Sequence, residues 1–476
     1  MIFTSSTFLI FFACFYSLYL LLQRLPSVRP QNVVLLVASN VFYGAWDVRF
    51  LGLLWFSALI DFFVAQRIED TTDRRVKRRW LTFSITTQLL LLGTFKYLNF
   101  GIESAVALLE ALGFEAHYHT LNIILPVGIS FYTFQTIAYT IDVYRGKVKP
   151  CRDPLDFSLY VGFFPQLVAG PIETPGHLLP QLVRKRVIDQ ASIRIGIYWI
   201  LIGFFKKVVI ADTLAPLVQH TFDNHDSISG VSSLIGIVAF SLQIYGDFAG
   251  YTFIARGIAK LMGIDLAVNF RRPYLATSPR DFWRRWHISL SNWLRDYLYI
   301  SLGGSRRGPS RTYINLLLTM FLGGLWHGAA WNFAVWGIYH GTLLCIDHFL
   351  DQHGVRLRLL PTTYERANHV LRVAGMYVLT LGGWLLFRVT SMEQAGDILH
   401  NIVFNFHIDP GTIVLAVPVI TLGCLLFGFH IAQERSENDL LALSWPSMAR
   451  AGVYAFICVT IVTVGLKPIP FIYFQF

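Results

Sequence analysis

The chain holds 476 residues, of which 54% are hydrophobic, 15% aromatic and only 14% charged. Globular domains carry about 25% charged residues, so too little charge is present to cover a water-soluble body, and a mean hydropathy of +0.51 excludes the disordered class, which combines low hydrophobicity with high net charge. The net charge of +10 is better explained by basic cytoplasmic loops that set membrane orientation than by a nucleic-acid-binding face.

Taken from the start, Met1 to Arg24 lacks the basic leader and small-residue cleavage site of a secretory signal and reads as a retained first span. Apolar runs predict spans near 7–23, 31–46, 48–65, 80–100, 120–144, 191–211, 231–255, 312–326, 331–350, 371–388, 412–432 and 451–466. Segments such as Leu81–Leu92 and Ile193–Ile202 are apolar on all sides rather than alternating, which excludes a transmembrane barrel. The fold class is therefore an all-α polytopic membrane protein of about 11–12 transmembrane helices, read as one membrane-embedded domain over 1–476. Its loops alternate in charge. Residues 67–79, 145–152, 184–186 and 256–272 are basic, whereas 101–119 and 212–230 carry acids, so the positive-inside rule puts both termini outside. Cys14, Cys151, Cys345, Cys424 and Cys458 form no close pair, and neither a disulfide framework nor a zinc site is expected.

Three stretches depart from this pattern. Residues 153–182 are apolar but interrupted by Pro and Gly, which predicts a re-entrant or interfacial element covered by protein. Residues 271–311 form a cytoplasmic segment with nine arginines against two acids, together with Trp283, Trp286 and Trp293, a composition suited to phosphates and headgroups. Residues 312–350 form a hairpin in which His327 stands among Gly323, Gly324, Gly328, Trp326 and Trp331.

Ionisable groups at membrane depth mark candidate sites. Lys96, Asp142, Lys206, Lys207, Asp347 and Arg388 lie near predicted span ends, where long side chains can reach water. Asp247, in the Gly-rich run Tyr245–Tyr251, is equally open to a structural and a functional role. His287, Ser291 and Asp296 share one stripe if 281–296 is helical, with Asn292 close by. A histidine in an apolar run is more often a hydrogen-bonded core group. The glycines around His327, the arginines nearby and the absence of metal-ligand spacing favour catalysis instead, with a desolvated neutral imidazole accepting the proton of a hydroxyl that attacks an acyl carbonyl.

The stretches Phe282-Trp283-Arg284-Arg285-Trp286-His287-Ile288-Ser289-Leu290-Ser291, Trp293–Tyr299 and Gly324-Leu325-Trp326-His327-Gly328-Ala329-Ala330-Trp331-Asn332 closely resemble the membrane-bound O-acyltransferase family. Further similarity runs through Pro126–Gln135, Asp142–Gly146, Pro165–Ile172 and the closing Phe471–Phe476. The resemblance implies helices around a central tunnel in a bacterial inner membrane. It also implies acetyl-CoA or a similar thioester as donor substrate with no bound cofactor or metal, and acetyl passed outward to an exported polysaccharide. A periplasmic acetyltransferase and the polysaccharide export machinery would be partners; nucleic acid would not. By residue-wise match His327 corresponds to the family's catalytic histidine and His287 to its second characteristic histidine. Asp247, Trp326, Asn292 and Tyr245 are then expected to line the tunnel, and Arg284, Arg285, Arg306 and Arg307 to contact the donor, since guanidinium suits phosphate. Members that modify alginate usually have Ser-Asp-Met-Ala after the Tyr245–Tyr251 motif and a basic residue near 173; here stand Thr252-Phe253-Ile254-Ala255 and Glu173-Thr174. These departures leave acyl transfer intact and the acceptor open. The rival readings are a non-catalytic transporter or flippase of an acyl carrier or polysaccharide precursor, and an acyltransferase acting on lipid, teichoic acid or protein.

Overall fold

Capping side chains and prolines punctuate the helices. Asp153, Ser278 and Asp409 each accept a hydrogen bond from the first turn of the helix they precede, and each is followed by proline at the first helical position. The computed structural model describes residues 1–115, 120–121, 123–355, 360–465 and 469–472, and among them every regular element is helical. The closing motif residues Tyr473–Phe476 lie outside the described residues.

The chain divides into two units. The first comprises Met1–Gly196, Ile258–Ala267 and Gly328–Ala330. Its helices are α1 (Ser6–Leu22), α2 (Arg29–Gly44), α3 (Arg49–Asp70), α4 (Arg74–Leu92), α5 (Leu98–Ala111), α6 (Ile129–Tyr144), the short α7 (Pro154–Gly162), α8 (Phe164–Leu167) and α9 (Pro175–Val183), and the start of α10 (Gln190–Phe204). The span expected over 120–144 becomes helical only at Ile129, because Gly128 turns the chain with φ +80°. A Cβ on Gly128 would meet the Leu167 carbonyl oxygen at 2.6 Å, so only glycine permits this approach. Over 153–182 the expected broken element is present as α7 to α9. The backbone oxygen of Tyr160 accepts from Gln135 at 2.6 Å and from Gln166 at 2.9 Å, which satisfies a buried carbonyl that a continuous helix would have paired.

The second unit comprises Ile197–Gly257, Val268–His327 and Trp331–Phe476. It contains α11 (Asp212–Asp223), most of α12 (Gly230–Leu261), α13 (Pro279–Arg285), α14 (Ile288–Trp293), α15 (Pro309–His327), α16 (Trp331–Gln352), α17 (Glu365–Arg388), α18 (Met392–Phe404), α19 (Pro410–Ser436) and α20 (Ser447–Val464). Among the described residues α3, α12, α17, α19 and α20 are long and apolar enough to cross a membrane. Helices α15 and α16 are not among these five, and they carry Asn315, Thr319, His327, Asn332 and His340, all buried within the protein. These two helices pack through small residues. A Cβ on Gly324 would meet the Phe333 carbonyl oxygen at 2.2 Å, and one on Gly337 the Met320 carbonyl oxygen at 2.4 Å. Gly324→Ala is expected to lower the thermal midpoint of the detergent-solubilised protein, overpacking costing about 1–3 kcal/mol. Gly375→Ala, where a Cβ meets nothing within 4 Å, should leave it unchanged, and equal midpoints for the two variants would contradict the packing.

Candidate functional site in the second unit

Helix α12 presents Tyr245-Gly246-Asp247-Phe248-Ala249-Gly250-Tyr251. Its glycines admit a neighbouring backbone: a Cβ on Gly250 would meet the Gly203 carbonyl oxygen and the Lys207 nitrogen at 2.8 Å each, and one on Gly246 the Lys206 oxygen at 2.9 Å. The facing stretch Phe205–Ala211 is π-helical, a widened turn that recurs at functional sites. The expectation that Lys206 and Lys207 reach water from a span end is therefore corrected, since both are 5% exposed. Lys207 Nζ pairs with Asp247 Oδ1 at 2.7 Å and donates to Asp212 Oδ1 at 2.8 Å. Asp247 also accepts from the Ile472 backbone nitrogen through Oδ2. Lys206 Nζ donates to the Tyr245 hydroxyl at 3.1 Å, and that hydroxyl hydrogen-bonds His430 Nε2 at 3.0 Å.

Phe248, next to Asp247, meets the His287 ring edge-on at 4.7 Å between centroids. His287 does not lie within one helix over 281–296. The helix breaks after Arg285 and restarts at Ile288, and His287 occupies the break with φ +41°. A left-handed backbone at a non-glycine residue costs roughly 1–3 kcal/mol and persists only where the surroundings impose it. Here Asn269 does so: its backbone oxygen accepts from Ile288 N at 2.9 Å, and its side-chain oxygen accepts the Ser289 hydroxyl at 2.6 Å. The stripe of His287, Ser291 and Asp296 is thus replaced by a turn that drives His287 fully into the protein.

His327 ends α15. Its ring lies 6.5 Å from that of His287, and Trp326, Trp336 and Phe387 surround it at 5.1, 5.0 and 5.3 Å. His287 and Trp326 are 6.0 Å apart. Of the residues singled out from the sequence, His287, His327, Trp326, Asp247 and Tyr245 therefore belong to one buried constellation. Asn292, Arg284, Arg306 and Arg307 are exposed. Arg285 is committed to ion pairs with Asp281 at 2.8 Å and Glu434 at 3.0 Å, while Arg272 takes the other Glu434 oxygen at 2.6 Å. This network ties the Arg-rich segment to the end of α19.

The family model of the membrane-bound O-acyltransferases matches residues 150–368, which include Asp247, His287 and His327. A chain of Azotobacter vinelandii named "Probable alginate O-acetylase AlgI" is 42% identical over 408 residues, covering 85% of this chain and 78% of that one. The chain belongs to the membrane-bound O-acyltransferase family. A Pseudomonas putida protein of the same printed name is 36% identical over the whole of both chains. The peptidoglycan O-acetyltransferase of Helicobacter pylori is 36% identical over 399 residues, 78% of this chain and 73% of that one. This multi-pass O-acyltransferase thus bears out the resemblance read from its histidine motifs. Sequence reading passes over His430 and counts Asp212 only among the acids of the loop 212–230. His430 stands in an apolar run as His327 does, so the signal was available; Asp212 becomes notable only once the π-helical turn sets Lys207 between it and Asp247.

Proposed function

We propose that this O-acyltransferase takes acetyl from a cytoplasmic thioester, acetyl-CoA or a similar donor, and passes it across a bacterial inner membrane for O-acetylation of an exported polysaccharide of the alginate kind. The observation that carries the reading is the approach of two fully buried histidines, His287 and His327, in an aromatic enclosure. Such a place excludes water and so protects a thioester from hydrolysis. His327 accepts the proton of the acceptor hydroxyl as its oxygen bonds to the acyl carbon; the C–S bond breaks, and the thiolate leaves with that proton. His287, held by Asn269, orients the reacting groups. Asp247 and Tyr245 hold the enclosure through Lys207, Lys206 and His430. A periplasmic acetyltransferase then moves the acetyl from the ester so formed to a hydroxyl of the polymer, which regenerates the first acceptor's hydroxyl. The names of the relatives support a polysaccharide acceptor, and the Helicobacter pylori protein supports peptidoglycan as the second choice.

Purified protein reconstituted in sealed lipid vesicles, given acetyl-CoA labelled in the acetyl group, should release free CoA thiol when an acceptor is present. Release of no thiol while the label moves across the bilayer would establish the transporter reading instead. Arg306 and Arg307, exposed and outside the Glu434 network, are the donor contacts. Arg306→Glu with Arg307→Glu should raise the KM for acetyl-CoA several-fold at unchanged kcat, and an unchanged KM would return them to a purely orienting role.

A further inference from the structure

We infer that the first unit holds a binding site for a phosphate group, separate from the acyl-transfer constellation. A cavity there is lined by Arg184, Lys185, Arg186, Ser192, Lys260 and Asp265 among others. Four cations thus face one acid, and that acid is already engaged, since Lys260 Nζ donates to both Asp265 oxygens at 2.8 and 3.0 Å.

The second observation is Arg186 itself. It is 4% exposed, yet all its acceptors are neutral: the Tyr19 hydroxyl at 3.0 Å, the Leu182 backbone oxygen at 3.1 Å and the Asn32 side-chain oxygen. Its Nε, also buried, has no hydrogen-bond partner. Among the described residues no carboxylate lies within ion-pair distance of it; hydrogen bonds reach Asp156 only through Asn32, which donates to it at 2.8 Å. Asp156 acts on the guanidinium through space and the Tyr19 ring lies 5.8 Å from its carbon, but a buried guanidinium with no direct ion pair still gains from a further anion. The floor is held open by geometry. Gly263 turns the chain with φ +75° where a Cβ would press the Val187 carbonyl oxygen at 3.0 Å, and Gln181 bridges His177 and Asp265 backbone oxygens at 3.0 Å each. The long-stemmed Arg184 and Lys185 can close over a phosphate in this cavity, Arg184 by parallel N–H donation, with Arg186 adding positive charge at its wall. The shared chemistry is a phosphate mono- or diester. A basic pocket beside membrane helices takes it from an anionic lipid headgroup, and free phosphate is the other source.

The test uses the full chain in uncharged detergent. Native mass spectrometry should show phosphatidylglycerol retained in preference to phosphatidylcholine, or inorganic phosphate should raise the thermal midpoint; the first outcome assigns a lipid source and the second free phosphate. Arg184→Ser with Lys185→Ser, both at exposed positions, should weaken whichever ligand binds about thirty-fold, that is about 2 kcal/mol at about 1 kcal/mol per cation. Arg186→Gln, which removes a charge from the wall, should weaken it further, and because that variant can fail to fold, the double variant decides. Equal retention of both lipids with no effect of phosphate, or binding unchanged in the double variant, would overturn the site.

Discussion

His327→Ala is expected to lose acyl transfer by a factor of about 10²–10⁴, the usual contribution of a positioned general base, while inserting into the membrane at normal levels. The ring packs against Trp326, Trp336 and Phe387 at 5.0–5.3 Å, so its removal opens a cavity, and activity is compared at matched amounts of folded protein. His327→Gln, which keeps volume but cannot accept the proton, should be as inactive as His327→Ala. His287→Ala should reduce kcat less, because its role is to orient. Thiol release from acetyl-CoA, measured against equal amounts of protein, checks all three. Activity of His327→Gln within a factor of about ten of wild type would remove the base from the mechanism.

Lys207→Met carries the largest expected effect on stability. Lys207 stands between Asp247 at 2.7 Å and Asp212 at 2.8 Å, each of the three side chains being less than 10% exposed. Removing the cation leaves two carboxylates buried together, and breaking a buried pair from one side costs about 3–5 kcal/mol. The thermal midpoint and the yield of folded protein should both fall sharply. Adding Asp212→Asn and Asp247→Asn to Lys207→Met should recover much of the loss, since the charges then vanish together. Failure of the triple variant to improve on Lys207→Met would show that packing of the lysine stem, not charge, is what matters.

The parts legible in the sequence are those whose causes are local. Span positions follow from apolar runs, the broken element at 153–182 from its prolines and glycines, and His327 from small residues that let α15 and α16 touch. The break at His287 was not legible, because Trp286 and His287 are neither Gly nor Pro and the turn is imposed by Asn269, some twenty residues away in the chain. The pairing of Lys207 was hidden for a similar reason. A regular helix gives no cue that both Lys206 and Lys207 turn inward; the π-helical stretch does that, and its partner Asp247 lies on another helix. The pairing of Arg285 with Glu434 was hidden as well, because the two are separated by 149 positions.

The most direct measurement is the acetyl content of each cell-envelope polymer in a strain lacking this protein, complemented with the wild-type chain or with His327→Gln at matched membrane levels. The account predicts that one exported polysaccharide loses its O-acetyl groups in the deletion, regains them with the wild-type chain and stays bare with His327→Gln. Restoration of full acetylation by His327→Gln, or no loss from any polymer in the deletion, would contradict it.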